Sequence, residues 1–397
     1  MPWKESCAVD ERLKFIADWK RGEMSVVELS RVYGVSRKTA YKWLGRYTTA
    51  GPTGLVERSR APHHIPWAVP DDIVERIVEV RKAWPTWGAR KILAQLRKHD
   101  LGAQLPAAST IAEILDRRGL VRHRRRRRRA PPLSQPFQDC RAPNDVWCAD
   151  FKGRLVLGDH RVCYPFTLSD AYSRYLLRCE GLSRTRESDV QPLFDSAFRE
   201  FGLPVALRTD NGPPFASVTV GGLSRLAIWF IKLGIRPERI DPGRPTQNGR
   251  HERIHRTLNE ETAQPPGANM VVQRRRFDTF RRAYNCVRPH EALGQRAPAE
   301  FFRASPRPYP TRLKDPEYGP DIDVRRVRQH GAIKWRGGEL FISETLRGEP
   351  IGIEQTGEEQ WTVRYGPLLL GYIDQVNQFT RPRPLPRGRQ VSPMLPG

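Results

Sequence analysis

The chain has 397 residues, of which 38% are hydrophobic and 28% charged, and its formal net charge is +24. At roughly 100–200 residues per domain it holds two to four domains, and this composition excludes a chain that is disordered throughout. It also excludes a membrane-spanning helix, because the longest clear apolar run, Leu226–Ile231, falls far short of the ~20 residues such a helix needs. The first twenty residues carry no signal-type apolar stretch, and there is no Asn-x-Ser/Thr sequon. Cys7, Cys140, Cys148, Cys163, Cys179 and Cys286 form no Cys-x-x-Cys pair and no regular framework, which suits a reducing compartment. The expectation is a soluble, cytoplasmic protein with no membrane partner. Its positive charge calls for a polyanion, nucleic acid first, because basic side chains that neutralise phosphates release counterions.

Residues 1–60 read as a helical domain. Met24–Ser36 gives a helix and a Gly turn, and Ser36 caps a second helix, Arg37–Tyr47. Val26, Leu29 and Val32 share one helical face, and Val35, Ala40 and Leu44 continue the core. Arg37, Lys38, Lys42 and Arg46 are then left to point outward. This is the helix-turn-helix pattern, whose second helix enters a DNA major groove. The plainer alternative is a three-helix bundle with a solvated basic face; the clustering of charge favours DNA. A Pro/His stretch, Ala61–Pro66, ends the domain. Residues 68–122 repeat the logic as a second helix-turn-helix or winged-helix-like domain. Trp87–Leu96 begins at a Gly, and Ser109–Val121 reads as a capped helix with a Gly stop. A linker over 123–139 follows, carrying Arg124, Arg125, Arg126, Arg127, Arg128 and Arg129 in an unbroken run. Such a run cannot fold alone, because its charges repel. It can track phosphates or lie in a minor groove, or it is a solvated linker.

Residues 140–305 alternate strand-like and helical segments. Val146–Phe151, Arg161–Leu168 and Arg174–Glu180 predict three strands joined by short turns, an antiparallel start. A helix over 186–201, a short strand Leu203–Leu207 and a helix over 222–234 come next. The loop Asp241–Gly249 then feeds a long polar helix starting near Arg250. Three acids hold special places. Asp150 lies mid-strand, where a carboxylate is costly unless something pairs with it. Asp210 stands just beyond a strand end, where open α/β sheets place ligands. Glu252 falls in the first turn of a helix entered through a Gly. A divalent cation would supply the missing partner, and carboxylates suit Mg²⁺ or Mn²⁺. Two such ions can activate an attacking oxygen and stabilise a leaving one in phosphodiester transfer.

Three segments carry a resemblance. Trp147-x-x-Asp150-Phe-Lys-Gly, Thr209-Asp210-Asn-Gly and Pro242-Gly-Arg-Pro-Thr-Gln-Asn-Gly-Arg-His-Glu252-Arg-Ile-His-Arg-Thr-Leu258 resemble the integrase catalytic core of bacterial insertion-sequence DDE transposases. Those proteins are similar to retroviral integrases and share their ribonuclease-H-like fold. Tyr284-Asn-x-x-Arg-Pro-His-Glu-Ala-Leu293 is similar to the segment that follows the core in that family. The resemblance implies that Asp150, Asp210 and Glu252 are catalytic and bind two Mg²⁺ or Mn²⁺ ions. It implies cleavage of a donor strand and attack of the exposed 3′-OH on target DNA. It also implies partners: the element's own double-stranded ends, the target DNA, and further copies of the chain in a dimeric or tetrameric synaptic complex at the bacterial nucleoid. An accessory ATPase that selects targets stays open as a further partner. Asp210 and Glu252 are separated by 41 residues, more than in many members of the family; the excess falls around Ser217–Gly222. If the alignment slips, Glu238 is the other candidate acid. Asp170 could support the three acids from behind, but reads first as a turn or ion-pair residue.

Arg250, Arg253 and Arg256 flank Glu252 and could hold DNA phosphates, and Lys152 and Arg208 could do the same or balance the acids. His255 stands one turn beyond Glu252, as a contact to phosphate or metal-bound water or as an ordinary helix residue. His251-Glu252-x-x-His255 is also a literal zinc-protease motif, with Glu252 as general base. That reading lacks a third ligand in the sequence, and leaves the basic charge, Asp150 and Asp210 without a role. A catalytically inactive DNA-binding regulator is the other alternative, although all three acids are present. Residues 303–320 are Pro-rich and read as a linker. Residues 320–376 then predict about five short strands, including Ile333–Ile342 around a Gly-Gly turn, hence a small SH3-like β-barrel. A Pro/Arg-rich tail, 377–397, completes the chain.

Overall fold

The computed structural model describes residues 7–58, 68–99, 104–121, 140–210, 212–215, 223–239 and 249–381, with backbone alone at 249 and 250. The Arg124–Arg129 run, the Ser217–Gly222 segment, residues 241–248 and the tail beyond Arg381 lie outside the described residues. The chain divides into two compact units, Met1–Val69 and Pro70–Gly397. Among the described residues no helix is long and apolar enough to cross a membrane, and all six cysteines are free thiols.

The first unit contains α1 (Ala8–Arg21), α2 (Val26–Val32) and α3 (Arg37–Ala50). Ser25 and Ser36 cap α2 and α3, each hydroxyl accepting a backbone N–H of the first turn. Gly34, at φ 61°, makes the tight turn between them. Phe15, Ile16, Leu29, Ala40, Trp43, Leu44 and Leu55 form the core. Val32 is not part of it: α2 is so short that its last residue overhangs the core, 66% exposed.

The second unit opens with α4 (Asp71–Ala83), α5 (Ala89–His99) and α6 (Ala108–Arg117). They enclose Ile73, Ile77, Trp87, Ile92, Leu96, Ile111 and Leu115. Gly119, at φ 67°, stops α6 as expected. The capping residue of α6 is Ala107, so Ser109 lies inside the first turn instead of capping it.

The central sheet comprises β1 (Val146–Phe151), β2 (Leu155–Val156), β3 (Val162–Asp170), β4 (Leu176–Leu182), β5 (Ala206–Thr209) and β6 (Arg236–Arg239), interleaved with α7 (Glu187–Phe201) and α8 (Arg225–Lys232). β1, β3 and β4 pair antiparallel, and β5 and β6 run parallel to β1, in the order β4-β3-β1-β5-β6 with β2 pairing β3. This is the mixed α/β core the sequence predicts, with the fifth strand three residues later than expected at its start. Strand alternation sorts the side chains between two faces. Trp147, Ala149, Phe166, Leu168 and Leu207 pack with α7 and α8. The opposite face is covered by α9 (Gly249–Thr262) and α10 (Met270–Cys286), where Cys163, Leu176 and Cys179 meet Ile254, Leu258, Phe277 and Tyr284. Trp147 anchors the first face. It is fully buried, stacks on Phe198 with ring centroids 5.7 Å apart, and donates its indole N–H to Asn144 at 3.0 Å. Trp147→Ala should cost about 3–5 kcal/mol, the usual penalty for a deleted core aromatic, read as a lower denaturant midpoint of the second unit.

The Pro-rich segment after the core is not a free linker. Leu203 N–H donates to the Arg307 carbonyl at 2.8 Å, and the Arg307 guanidinium donates to the Pro204 and Gly234 carbonyls at 2.6 and 2.7 Å. It leads to β7 (Asp323–Arg326), β8 (Ala332–Trp335), β9 (Gly338–Phe341), β10 (Pro350–Gly357), β11 (Gln360–Tyr365), β12 (Leu368–Ile373) and β13 (Phe379–Thr380). These strands are antiparallel, but they do not close into the expected SH3-like barrel. The sheet runs β13-β12-β11-β10-β7, and β8-β9 is a separate hairpin. The physical reason is the neighbour: Leu223, Ala227, Ile228 and Ile231 at α8 pack into the core formed by Ile333, Trp335, Ile351, Val363, Tyr365 and Leu370. With a helix to bury its apolar face, the sheet does not need to bury it by closing on itself.

Candidate active site

β1 and β5 bring two of the three acids together. Their parallel register pairs Val146 with Ala206 and ends at Ala149 with Thr209. Asp150 and Asp210 are the next residues of these two neighbouring strands, so both stand at that end of the sheet. Asp150 is buried at 8% exposure. Asp210 is half-buried, and its Oδ1 is shielded from water with no hydrogen-bond partner among the described residues. Gly212 allows the chain to turn tightly past it, since a Cβ there would stand 3.1 Å from Asp210 Oδ2. Burial raises the Asp210 carboxyl above its ordinary value, partly offset by the Gly212 N–H. An orphaned, buried carboxylate oxygen at the edge of a rigid sheet fits a divalent cation, which would hold it ionised.

A folded pKa raised by burial penalises folding once the carboxylate ionises, so its contribution is best at low pH and is lost as pH rises through the folded value. Asp210→Asn should therefore melt above the wild type at pH 7 without metal. The gap should narrow toward the carboxylate range, and Mg²⁺ should raise the melting temperature of the wild type more than that of the variant.

Glu252 lies exposed in the first turn of α9. Among the described residues, the ligand set that converges with Asp150 is not the two other acids but His251 and His255. Both rings face the sheet. His251 is 2% exposed, with Thr167 and Ser169 hydroxyls each 3.5 Å from its ring nitrogens. His255 Nε2 meets the Thr167 hydroxyl at 2.9 Å, and its Nδ1 stands 4.0 Å from Asp150 Oδ2. Burial pushes His251 down to about 4. Burial, with His251 and Lys152 nearby, pushes His255 to about 3, so both rings are neutral at neutral pH. The i,i+4 spacing of the two histidines is visible in the sequence; the sheet hydroxyls that orient them are not, because Thr167 and Ser169 lie far away along the chain.

The remaining acids have structural roles. Asp170 is buried and accepts from Asn144 N–H at 2.8 Å, Ser173 N–H at 2.7 Å and the Ser173 hydroxyl at 2.5 Å, the turn role the sequence suggested. Glu238 is held by Arg208 at 2.7 Å and Arg236 at 2.9 Å.

Of the basic residues, Arg37, Lys38 and Lys42 are exposed on α3, and Arg253 and Arg256 are exposed on α9. Arg46 is a correction to the outward-pointing reading: it is half-buried, and its guanidinium lies 4.9 Å from the Trp43 ring, which Arg12 and Lys42 also flank at 3.7 and 4.6 Å. The amphipathic stem and cation–π attraction draw it in. Arg124–Arg129 and the Arg250 side chain lie outside the described residues.

Integrase core domains match residues 141–245 and 233–298. An uncharacterized 39.2 kDa protein of insertion element IS476 from Xanthomonas euvesicatoria is 27% identical over 289 residues, covering 71% of this chain and 79% of that protein. The transposase InsD of insertion element IS2D from Escherichia coli is 25% identical over 247 residues, covering 58% of this chain and 78% of its own. The chain is an insertion-sequence transposase with an integrase core. That match decides against the protease reading of the His251–His255 motif. A helix-turn-helix domain matches residues 11–63 of the transposase, and a homeodomain-like domain matches residues 39–115. Among solved structures, the HTLV-2 integrase catalytic core domain in complex with magnesium is 14% identical, covering 43% of this chain and 100% of its own, at a TM-score of 0.33. The simian T-cell lymphotropic virus intasome in complex with a PP2A regulatory subunit is 16% identical over 77% of this chain and 100% of its own, at 0.36.

Proposed function

We propose that this transposase binds the double-stranded ends of its own element and cuts and joins DNA strands with Asp150, Asp210 and Glu252 as metal-holding catalytic residues. The register that sets Asp150 beside Asp210, with one Asp210 oxygen orphaned, carries the reading. Two Mg²⁺ or Mn²⁺ ions held there would activate the attacking oxygen and stabilise the leaving one. The chain's own part is positioning. The paired strands would hold the two aspartates, and Glu252, exposed in the first turn of α9, would complete the set. Lys152, half-buried and with its ammonium disfavoured by burial, is placed to receive a phosphate oxygen, which would restore its charge. Arg253 and Arg256 hold the DNA backbone along α9, and Arg37, Lys38 and Lys42 on α3 approach the element ends through the major groove. Copies of the chain pair the two ends, in the bacterial cytoplasm where the DNA lies.

Incubation with labelled DNA from both flanks of its coding sequence, a plasmid target and Mg²⁺ tests this. Joined product that disappears with a chelator supports the proposal. DNA binding with no cleavage or joining in Mg²⁺ or Mn²⁺ would leave the inactive-regulator reading in its place.

A further inference from the structure

α9 brings two imidazoles to the carboxylate of β1. One ring nitrogen of His251, one of His255 and a carboxylate oxygen of Asp150 all lie within 4.8 Å of one another, with Asp150 and His251 buried and His255 half-buried. The Thr167 hydroxyl can donate to the Asp150 carbonyl at 3.3 Å while its oxygen accepts the Nε2–H of His255 at 2.9 Å. In that tautomer the His255 Nδ1 carries a lone pair, and it stands 4.0 Å from Asp150 Oδ2. The His251 ring donates to the backbone carbonyl of Cys148, which leaves its second nitrogen as a lone pair too. Two imidazole nitrogens and a carboxylate oxygen this close together can share one cation.

We propose that Asp150, His251 and His255 form a binding site for a transition dication of the zinc and cobalt class. Imidazole nitrogens suit such ions, whereas Mg²⁺ prefers oxygen ligands in an octahedron. Metal-bound histidines characteristically donate their second ring N–H to a fixed acceptor, and here the Thr167 hydroxyl and the Cys148 carbonyl are those acceptors. The set is distinct from the three acids but shares Asp150 with them, so the two occupancies compete for one carboxylate. The binding claim stands independently of the strand-transfer reading.

The test is a Co²⁺ titration of the metal-stripped full chain followed by visible absorption. One equivalent of Co²⁺ should bind, be displaced by stoichiometric Zn²⁺ and resist excess Mg²⁺. His255→Asn and Asp150→Asn should each weaken Co²⁺ at least about tenfold with an unchanged circular dichroism spectrum. His251 also ties α9 to the sheet, so those two variants carry the result. Unchanged Co²⁺ affinity in both of them, or no uptake by the wild type, would overturn the site.

Discussion

Asp150→Asn and Glu252→Gln are each expected to lower strand cleavage and joining by about a thousandfold or more while leaving DNA affinity intact. A metal that stabilises transition-state charge contributes several kcal/mol, and about 4 kcal/mol corresponds to three decades in rate. Both replacements keep side-chain size but exchange one carboxylate oxygen for an NH2 donor, which removes the charge and one potential metal-ligand oxygen. Asp150 sits mid-sheet between Phe151 and Ala149, on a strand paired on both sides, so the amide has no room to move away. Glu252 is exposed on a helix, so its replacement leaves the fold untouched and isolates chemistry from stability. On the proposed reading, DNA affinity comes from Arg37, Lys38, Lys42, Arg253 and Arg256, none of which either replacement removes. Gel-shift affinity and joined product, measured on the same DNA, separate the two effects. Activity above a tenth of the wild type in Glu252→Gln would remove that residue from the catalytic set.

The second large effect is acid sensitivity of the metal-free protein. His251 is held near 4, and His255 and His290 near 3. For His290 the cause is burial first, then the charges of Lys91 and Arg288. The ring packs edge-on against Tyr284 at 4.6 Å, and its Nε2 has no hydrogen-bond partner among the described residues. In the unfolded chain a histidine protonates near 6.5. Between about 6.5 and these folded values the unfolded state binds protons that the folded state refuses, so stability rises with pH across that window. Acidification below 6.5 should thus cost about 1.4 kcal/mol per pH unit for each histidine. By pH 5 that amounts to about 2 kcal/mol for a histidine titrating alone, a sizeable share of the stability of an ordinary domain. Denaturant midpoints at pH 7.5, 6 and 5 measure the slope. His290→Asn should make the slope shallower, and an unchanged slope in that variant would show that His290 titrates normally.

Much of this molecule is legible locally. Ser36 before a helical repeat signals a cap because the hydroxyl acts within one turn. The strands of the core announce themselves by apolar runs, and Asp150 and Asp210 stand out because a carboxylate at such a place is expensive. What the sequence does not reveal depends on contacts far apart in the chain. Val32 has the right periodicity but overhangs the core of its unit. Arg46 looks free until Trp43 provides a ring to lie on. The C-terminal strands alternate like those of a barrel, yet α8 covers their apolar face and the sheet stays open. His251 and His255 show their helical spacing, but the carboxylate that meets them comes from a strand about a hundred residues earlier in the chain.

The claim that the strand-end carboxylates hold the ion is tested most directly by changing the ligand instead of deleting it. In Asp210→Cys a thiolate replaces the carboxylate, which Mg²⁺ rejects and softer ions accept. Joined product should be absent in Mg²⁺ and return when Mn²⁺ replaces it, whereas Asp210→Asn stays inactive in both. Wild-type joining by Asp210→Cys in Mg²⁺ would contradict the account.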